Sequence, residues 1–323
     1  MNRGSRAEGG GYHPTPPSSL LLPYLSLSLI SKVSSFLSPT VRVPASTSNL
    51  GAGFDCLGLA LDLWLEASLV PGPGAPEYTG ELATVKPGSD VMVAHLSACG
   101  LTDRFHLIAR SDIPVSRGLG SSAAARVAAV TLEQLARDGR LQLDEVFARA
   151  ASAEGHPDNA GPAVYGGLVL SAARPTKLTI HSDVRVALAV PQQLVETGAA
   201  RAVLPENVVR EKAVAQASRA AALVAGLANG DGELIGFGMQ DEIALPYRKD
   251  LIPGLDQAIH AGRAAGAYGV TTSGSGSTVL GFASASRARD VAAAMAEALT
   301  QNDNPATAMT PEVSDTGVTK LLT

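Results

Sequence analysis

The 323-residue chain is long enough for one large or two ordinary domains with a sizeable core. Hydrophobic residues at 46% and charged residues at 17% exclude wholesale disorder, and a net charge of −5 without any Lys/Arg block argues against a nucleic-acid-binding face. Two cysteines, Cys56 and Cys99, build neither a disulfide framework nor a zinc-finger spacing, so a reducing, cytoplasmic setting is expected.

Residues 1–39 stand apart. The polar, Gly/Pro/Ser-rich start reads as a disordered extension, and the apolar stretch after it is broken by Pro23 and by serines. It is too interrupted for a membrane span and lacks the flanks of a signal peptide, so no membrane partner is expected. The fold is expected to begin at residue 40. Alternation over 40–46 predicts a strand ending at Pro44, NLGAGFDCLG a glycine turn, LALDLWLEASLV a second strand, and PGPGAPEYTG a loop. Helical spacing marks 90–101, and FHLIARSDIPV reads as a strand leaving into a loop. SSAAARVAAVTLEQLARDG predicts a long helix with a serine N-cap and a stop at Gly139, and LDEVFARAASAEG predicts the next helix. Strands are expected at 163–170, 177–180 and 184–190, and helices over 208–229, 232–242 and 253–266. GVTTSGSGSTVLGFA reads as strand, glycine turn and strand. A helix over 286–300 and a final strand near 307–313 follow. Strands and helices mix without strict alternation, which predicts an α+β fold, with a domain boundary placed at 180/181.

Four polar, glycine-rich stretches carry the chemistry. PVSRGLGSSAA, 114–124, also satisfies the dinucleotide pattern G-x-G-x-x-A, but it follows a loop instead of a strand, and one long helix comes after it. No Walker-type G-x-x-x-x-G-K-[ST] occurs. What remains is a glycine loop feeding a helix N-terminus, where free N–H groups and the helix dipole favour an anion such as phosphate. Taken alone, the stretch serves equally as a turn with a helix cap. PASTSNLGAGFDCLGLAL (44–61) and GVTTSGSGSTV (269–279) read alone as turns. EGHPDN, 154–159, offers carboxylates better suited to Mg²⁺ than to zinc.

Together, and in this order, these stretches resemble the GHMP kinases, and within them the homoserine kinases. EGHPDNAGPAVYGGLVL, ARAVLPENV (200–208) and LPYRKDLIPG (245–254) extend the likeness, which runs from about residue 41 to the C-terminus. The resemblance implies a two-domain fold. Residues 40–180 would form a mixed α/β ATP-binding domain with a left-handed β-α-β unit, and residues 181–323 a ferredoxin-like domain. It implies ATP- and Mg²⁺-dependent phosphorylation of L-homoserine to O-phospho-L-homoserine in threonine biosynthesis, and it allows a homodimer. Pro114, Gly118, Leu119, Gly120, Ser121, Ser122, Ala123 and Ala124 would meet ATP, and Ser122 with Glu154 would hold Mg²⁺. Arg201 and Arg248 would clamp the substrate carboxylate, the planar guanidinium being its geometric match. Asn49, Asp55 and Asp158 would face the ammonium, Asn159 the hydroxyl, and Gly274, within 273–276, the transferring phosphate. Asp158 stands open between general base and amine binder. Two departures are visible: Ser277 where many relatives carry Pro, and KPGSDVMVAHL in place of the Asn-containing stretch that often meets adenine. The competing readings are a GHMP kinase for another alcohol such as mevalonate, and a non-catalytic ligand sensor.

Overall fold

The computed structural model describes residues 38–85 and 88–321. The expected disordered extension therefore lies, up to residue 37, outside the described residues. Pro39 is already part of the fold, because its carbonyl accepts from Leu69 N at 3.1 Å.

Strand β1 (Thr40–Asn49) does not stop at Pro44. Its register against β2 (Gly53–Pro71) shifts between Pro44 and Ala45, which face Trp64 and Leu61, so the proline sits at a bulge and pairing resumes beyond it. β2 is long enough to pair with two further strands. Its first half meets β5 (Leu168–Leu170) and its second half meets β4 (Phe105–Ser111). The segment read as a loop before residue 81 contributes β3 (Glu77–Gly80), parallel to β4. Helix α1 (Val91–Ala98) links the two as a β-α-β unit, capped by Asp90 Oδ1, which accepts from Met92 N at 2.8 Å. Helix α2 (Ser121–Asp138) packs on β1, α1 and α3 (Leu143–Glu154), and its many alanines allow close approach where the chain has few aromatics. The expected serine cap is in fact Gly120 at φ 68°, and Ser121 is the first helical residue. Gly139, at φ 66°, stops the helix as expected.

The strand expected over 163–170 is half helix. Ala160–Tyr165 forms α4, with Pro162 tolerated in its first turn, and only Leu168–Leu170 is strand. β6 (Thr176–Leu178) pairs with β5 and completes the first sheet on that side. The second sheet has the order β10-β7-β9-β8, all antiparallel: Ala306–Met309, Val184–Pro191, Val279–Ser284 and Gly269–Thr272. Helices α5 (Thr197–Ala202), α6 (Arg210–Asn229), α7 (Gly232–Gly238), α8 (Leu245–Arg248) and α9 (Leu255–Ala264) separate β7 from β8. Helix α10 (Ala288–Thr300) packs on β7, β9 and β10. The chain then returns to the first sheet, where β11 (Thr319–Leu321) pairs with β1.

The returning segment crosses α4 at close quarters. A Cβ on Gly317 would lie 2.1 Å from the Val164 carbonyl oxygen, a backbone atom that cannot turn aside. Gly317→Ala is therefore expected to lower stability by about 1–3 kcal/mol, read as a reduced urea midpoint at unchanged slope. An unchanged midpoint would mean that this crossing is loose.

Candidate active site

The loop between β4 and α2 lies against the β8–β9 turn, backbone to backbone. Gly118 adopts φ 76°, and a Cβ there would sit 2.2 Å from Ser273 O. Gly120 would bring a Cβ within 2.1 Å of Ser46 Oγ. Only glycine fits either place. Ser273 Oγ donates to Gly118 O at 2.5 Å, and Thr278 N to Arg117 O at 3.2 Å. The first N–H groups of α2 have no intrahelical acceptor, as at any helix start, and here they open on a cleft of about 670 Å³. Ser121, Ser122, Ala123, Gly118 and Gly120 line it. The side chains of Leu119 and Ala124 do not, being buried in the core beneath the loop, and Pro114 lies outside the lining. From the first two residues the cleft can receive backbone groups alone.

Asn159, at the start of α4, is held at both ends of its amide. Ser46 Oγ donates to its Oδ1 and its Nδ2 donates to Ser48 Oγ, each at 2.9 Å. Asn49 is likewise committed: Nδ2 donates to Gly274 O at 3.0 Å, and Oδ1 accepts from Asp55 N at 2.9 Å. It therefore positions Gly274 and Asp55. Arg201 and Asp55, expected at opposite ends of a substrate, are bonded to each other through both guanidinium NH groups at 2.7 and 3.1 Å, since opposite charges within reach neutralise one another. That pairing raises the Arg201 pKa.

Arg248 differs. It is 2% exposed and donates to two backbone carbonyls, Ala200 O at 2.9 Å and Gly274 O at 3.2 Å. It forms no ion pair among the described residues. Burial and the nearby positive charge of Arg201 lower its pKa, with the carboxylates of Asp241, Asp55 and Asp158 opposing. Asp158 Oδ1 accepts from Asn159 N at 3.0 Å and is 2.7 Å from His156 Nδ1. Glu154, the last residue of α3, accepts from Ser122 Oγ at 2.6 Å and from Arg126 Nε at 2.5 Å, both through Oε1. The structure thus gathers Asn49, Asp55, Glu154, Asp158, Asn159, Arg201, Arg248 and Gly274 around one cleft.

Sequence reasoning missed the cleft's other end, formed by Tyr78, Leu82, Val85 and Met92. The Tyr78 hydroxyl and Asp90 Oδ2 are buried there without a hydrogen-bond partner. The one signal was the departure at KPGSDVMVAHL, which marks the region without naming a contact.

The bond to Asp158 raises the His156 pKa against the opposing effect of burial. A raised folded-state pKa stabilises the fold fully below the unfolded value, about 6.5, and the contribution is lost as pH climbs through the higher folded value. His156→Gln should therefore destabilise the protein more at about pH 5.5 than at about pH 9. Equal losses at both pH values, by urea unfolding, would show that the pair carries no linkage.

Known proteins resemble this chain in sequence and in fold. Residues 87–167 match the family model of the GHMP kinases N terminal domain, and residues 223–301 match that of the GHMP kinases C terminal. A homoserine kinase of Moorella thermoacetica is 41% identical over 258 residues, covering 76% of this chain and 87% of the relative. One from Thermus thermophilus shows the same identity and coverage. The crystal structure of homoserine kinase from Cytophaga hutchinsonii superposes with a TM-score of 0.75 at 28% identity, covering 94% of this chain and all of that one. The mevalonate kinase of L. major, solved in complex with R-mevalonate, shares the fold at a TM-score of 0.62, with 17% identity over 84% of this chain and 96% of its own. No helix among the described residues is long and apolar enough to cross a membrane. The chain belongs to the homoserine kinase family of the GHMP kinases, an α+β fold of two sheets whose members take their phosphoryl group from ATP.

Proposed function

We propose that the cleft transfers the γ-phosphoryl group of ATP to the side-chain hydroxyl of L-homoserine, giving O-phospho-L-homoserine and ADP. One observation carries the substrate reading: a guanidinium, that of Arg248, is buried in the cleft wall without a carboxylate partner. A buried unpaired cation is costly, and a substrate carboxylate relieves that cost. Arg201 adds a second fork, and Asp55 and Asp158 supply negative charge for the ammonium. Mevalonate has a carboxylate but no ammonium, and would bring no cation to those two acids.

Phosphoryl transfer is mostly positioning and charge stabilisation. In this reading residues 40–180 hold the nucleotide, with the triphosphate on the N–H groups of 118–123 and the base in the apolar end beside Tyr78 and Met92. Residues 181–323 supply both arginines and the Gly274 loop. The oxygens of Ser122 and Glu154, 2.6 Å apart at the start of α2, suit a hard divalent cation such as Mg²⁺, which when bound neutralises the polyphosphate. Arg126 holds Glu154 in place from the other side. Asn159, tied to Ser46 and Ser48, is the rigid group nearest in kind to a hydroxyl-orienting amide. The substrate oxygen forms its bond to phosphorus as the bridge to ADP breaks, and the hydroxyl proton passes to the transferred phosphoryl group. Asp158 acts as an anion for the ammonium, because its Oδ1 is already committed to His156 and Asn159.

ADP release should be fast with L-homoserine and weak or absent with D-homoserine, mevalonate, galactose and L-serine. Turnover on mevalonate instead would keep the phosphate loop and discard the amino-acid pocket. Arg248→Leu should raise KM for homoserine about tenfold or more, from the loss of a charged hydrogen-bond pair worth about 1.5–3 kcal/mol. ATP affinity should barely move, and a parallel loss of ATP binding would count against this role. Glu154→Gln should lower kcat far more than either KM, measured at saturating Mg²⁺. Unchanged turnover would move the cation elsewhere.

A further inference from the structure

Behind the wall of the cleft, helices α1 and α2 bring three metal-ligating side chains together. His95 on α1 and Cys99, the residue that caps its C-terminal end, lie one turn apart, and Glu133 faces them from α2. His95 Nε2 is 2.7 Å from Glu133 Oε2 and 3.7 Å from Cys99 Sγ, and one ligand atom from each residue falls within 4.8 Å of the others. The Glu133 side chain is 8% exposed. None of the three lines the cleft, and the phosphoryl-transfer reading uses none of them.

We propose that His95, Cys99 and Glu133 form a binding site for one thiophilic divalent cation, of the Zn²⁺ type. A tetrahedral Zn²⁺ with bonds of about 2.0–2.3 Å holds its ligand atoms roughly 3.3–3.7 Å apart. The Cys–His separation already has that spacing, and the His–Glu pair needs to open by under about 1 Å, exchanging a hydrogen bond for two metal bonds. The donor set is imidazole, thiolate and carboxylate, which selects Zn²⁺ over Mg²⁺. Three protein ligands leave a fourth position for water. Two arginines share the glutamate: Arg149 bonds Oε2, and Arg137 Nε lies 3.2 Å from Oε1. They do not close the site. Arg149 has a second carboxylate within reach, Glu145 Oε1 at 3.4 Å, and Arg137 is half exposed on the same helix as Glu133. Binding releases the Cys99 thiol proton to solvent, with no change of oxidation state. The ion would tie α1, whose first turn lines the base end of the cleft, to α2, which begins at the phosphate loop.

The test uses the full chain, untagged and stripped of metal with a chelator, then titrated with Co²⁺ and with Zn²⁺. Wild type and Cys56→Ser should each bind one Co²⁺ and show a sulfur-to-cobalt charge-transfer band. Cys99→Ser should lose the band, and His95→Ala should weaken binding roughly tenfold or more. Zn²⁺ should raise Tm in wild type and Cys56→Ser but not in Cys99→Ser. Absence of the band in wild type, a band that follows Cys56, or an equal Zn²⁺ shift in Cys99→Ser would overturn the site and leave a hydrogen-bond network only. Should Cys99→Ser fail to fold, Cys56→Ser retains a single thiol and decides the assignment alone.

Discussion

The site depends on a contact that only glycine permits. The phosphate loop leaves the first sheet, the β8–β9 turn leaves the second, and the two meet with Gly118 pressed on Ser273 O, where a side chain would stand 2.2 Å away. Ser273, fully buried, donates through its hydroxyl to Gly118 O and accepts from the Thr47 hydroxyl, and Gly274 N donates to Ser48 O at 3.0 Å. β1, the phosphate loop and the glycine turn therefore share one set of backbone and hydroxyl hydrogen bonds. The cleft lies where the loop before α2 and the end of β1 meet the β8–β9 turn, and groups from distant parts of the chain reach the same space. Backbone amides set in this way are oriented before any charge develops near them, which is the arrangement that lowers a phosphoryl-transfer barrier without reorganisation.

Electrostatics divides the cleft along its length. Ser122, Glu154 and Arg126 make one polar cluster at the start of α2, and Asp55, Arg201, Asp158, His156 and Arg248 make another beyond Asn159. Within the second cluster the pairs are not equivalent. Asp55 and Arg201 satisfy each other, as do Asp158 and His156. Arg248 has two carbonyl dipoles and the Phe54 ring, whose centroid lies 5.4 Å from its guanidinium carbon, but no carboxylate. A zwitterion entering there meets an unpaired cation for its carboxylate and carboxylates of fixed orientation for its ammonium, while a neutral alcohol meets charges it cannot match. Selectivity of this kind comes from what the wrong ligand leaves unpaired.

Local chemistry wrote much of this into the sequence. The helix over 121–138 is legible because a glycine loop precedes it and Gly139 ends it, and the glycine loops are legible because their backbone conformations admit nothing else. The β8–turn–β9 unit follows the same logic. What stayed hidden is what tertiary partners decide. Pro44 reads as a strand end, yet a bulge opposite it lets β1 continue. Residues 163–165 have strand-like composition but close α4, because Gly166 and Gly167, at φ 72° and 70°, make the turn into β5 instead. β11 carries no signal that it returns to β1. At the site, the charged residues are legible from motif resemblance, whereas the mutual pairing of Arg201 with Asp55 is a matter of distance alone. Tyr78 and Met92 are ordinary core-forming residue types, and only their placement brings them to the wall of the cleft.

The turn between β1 and β2 shows how the fold holds unfavourable backbone where chemistry needs it. Asn49, Leu50 and Asp55 all adopt left-handed conformations, at φ 68°, 51° and 54°, without being glycine. Such residues cost of order 1–3 kcal/mol each and persist only where their surroundings over-determine them. Here the surroundings do. Leu50 is fully buried in the main core, and Asn49 is bonded to Gly274 O and Asp55 N. Gln216, from α6, donates to Ala52 O at 3.1 Å, and Ala52 N donates to Gly238 O at 3.1 Å. Core burial and contacts from the second half of the chain thus hold a strained turn of the first. The outcome is an Asp55 carboxylate held against the Arg201 guanidinium at the cleft wall.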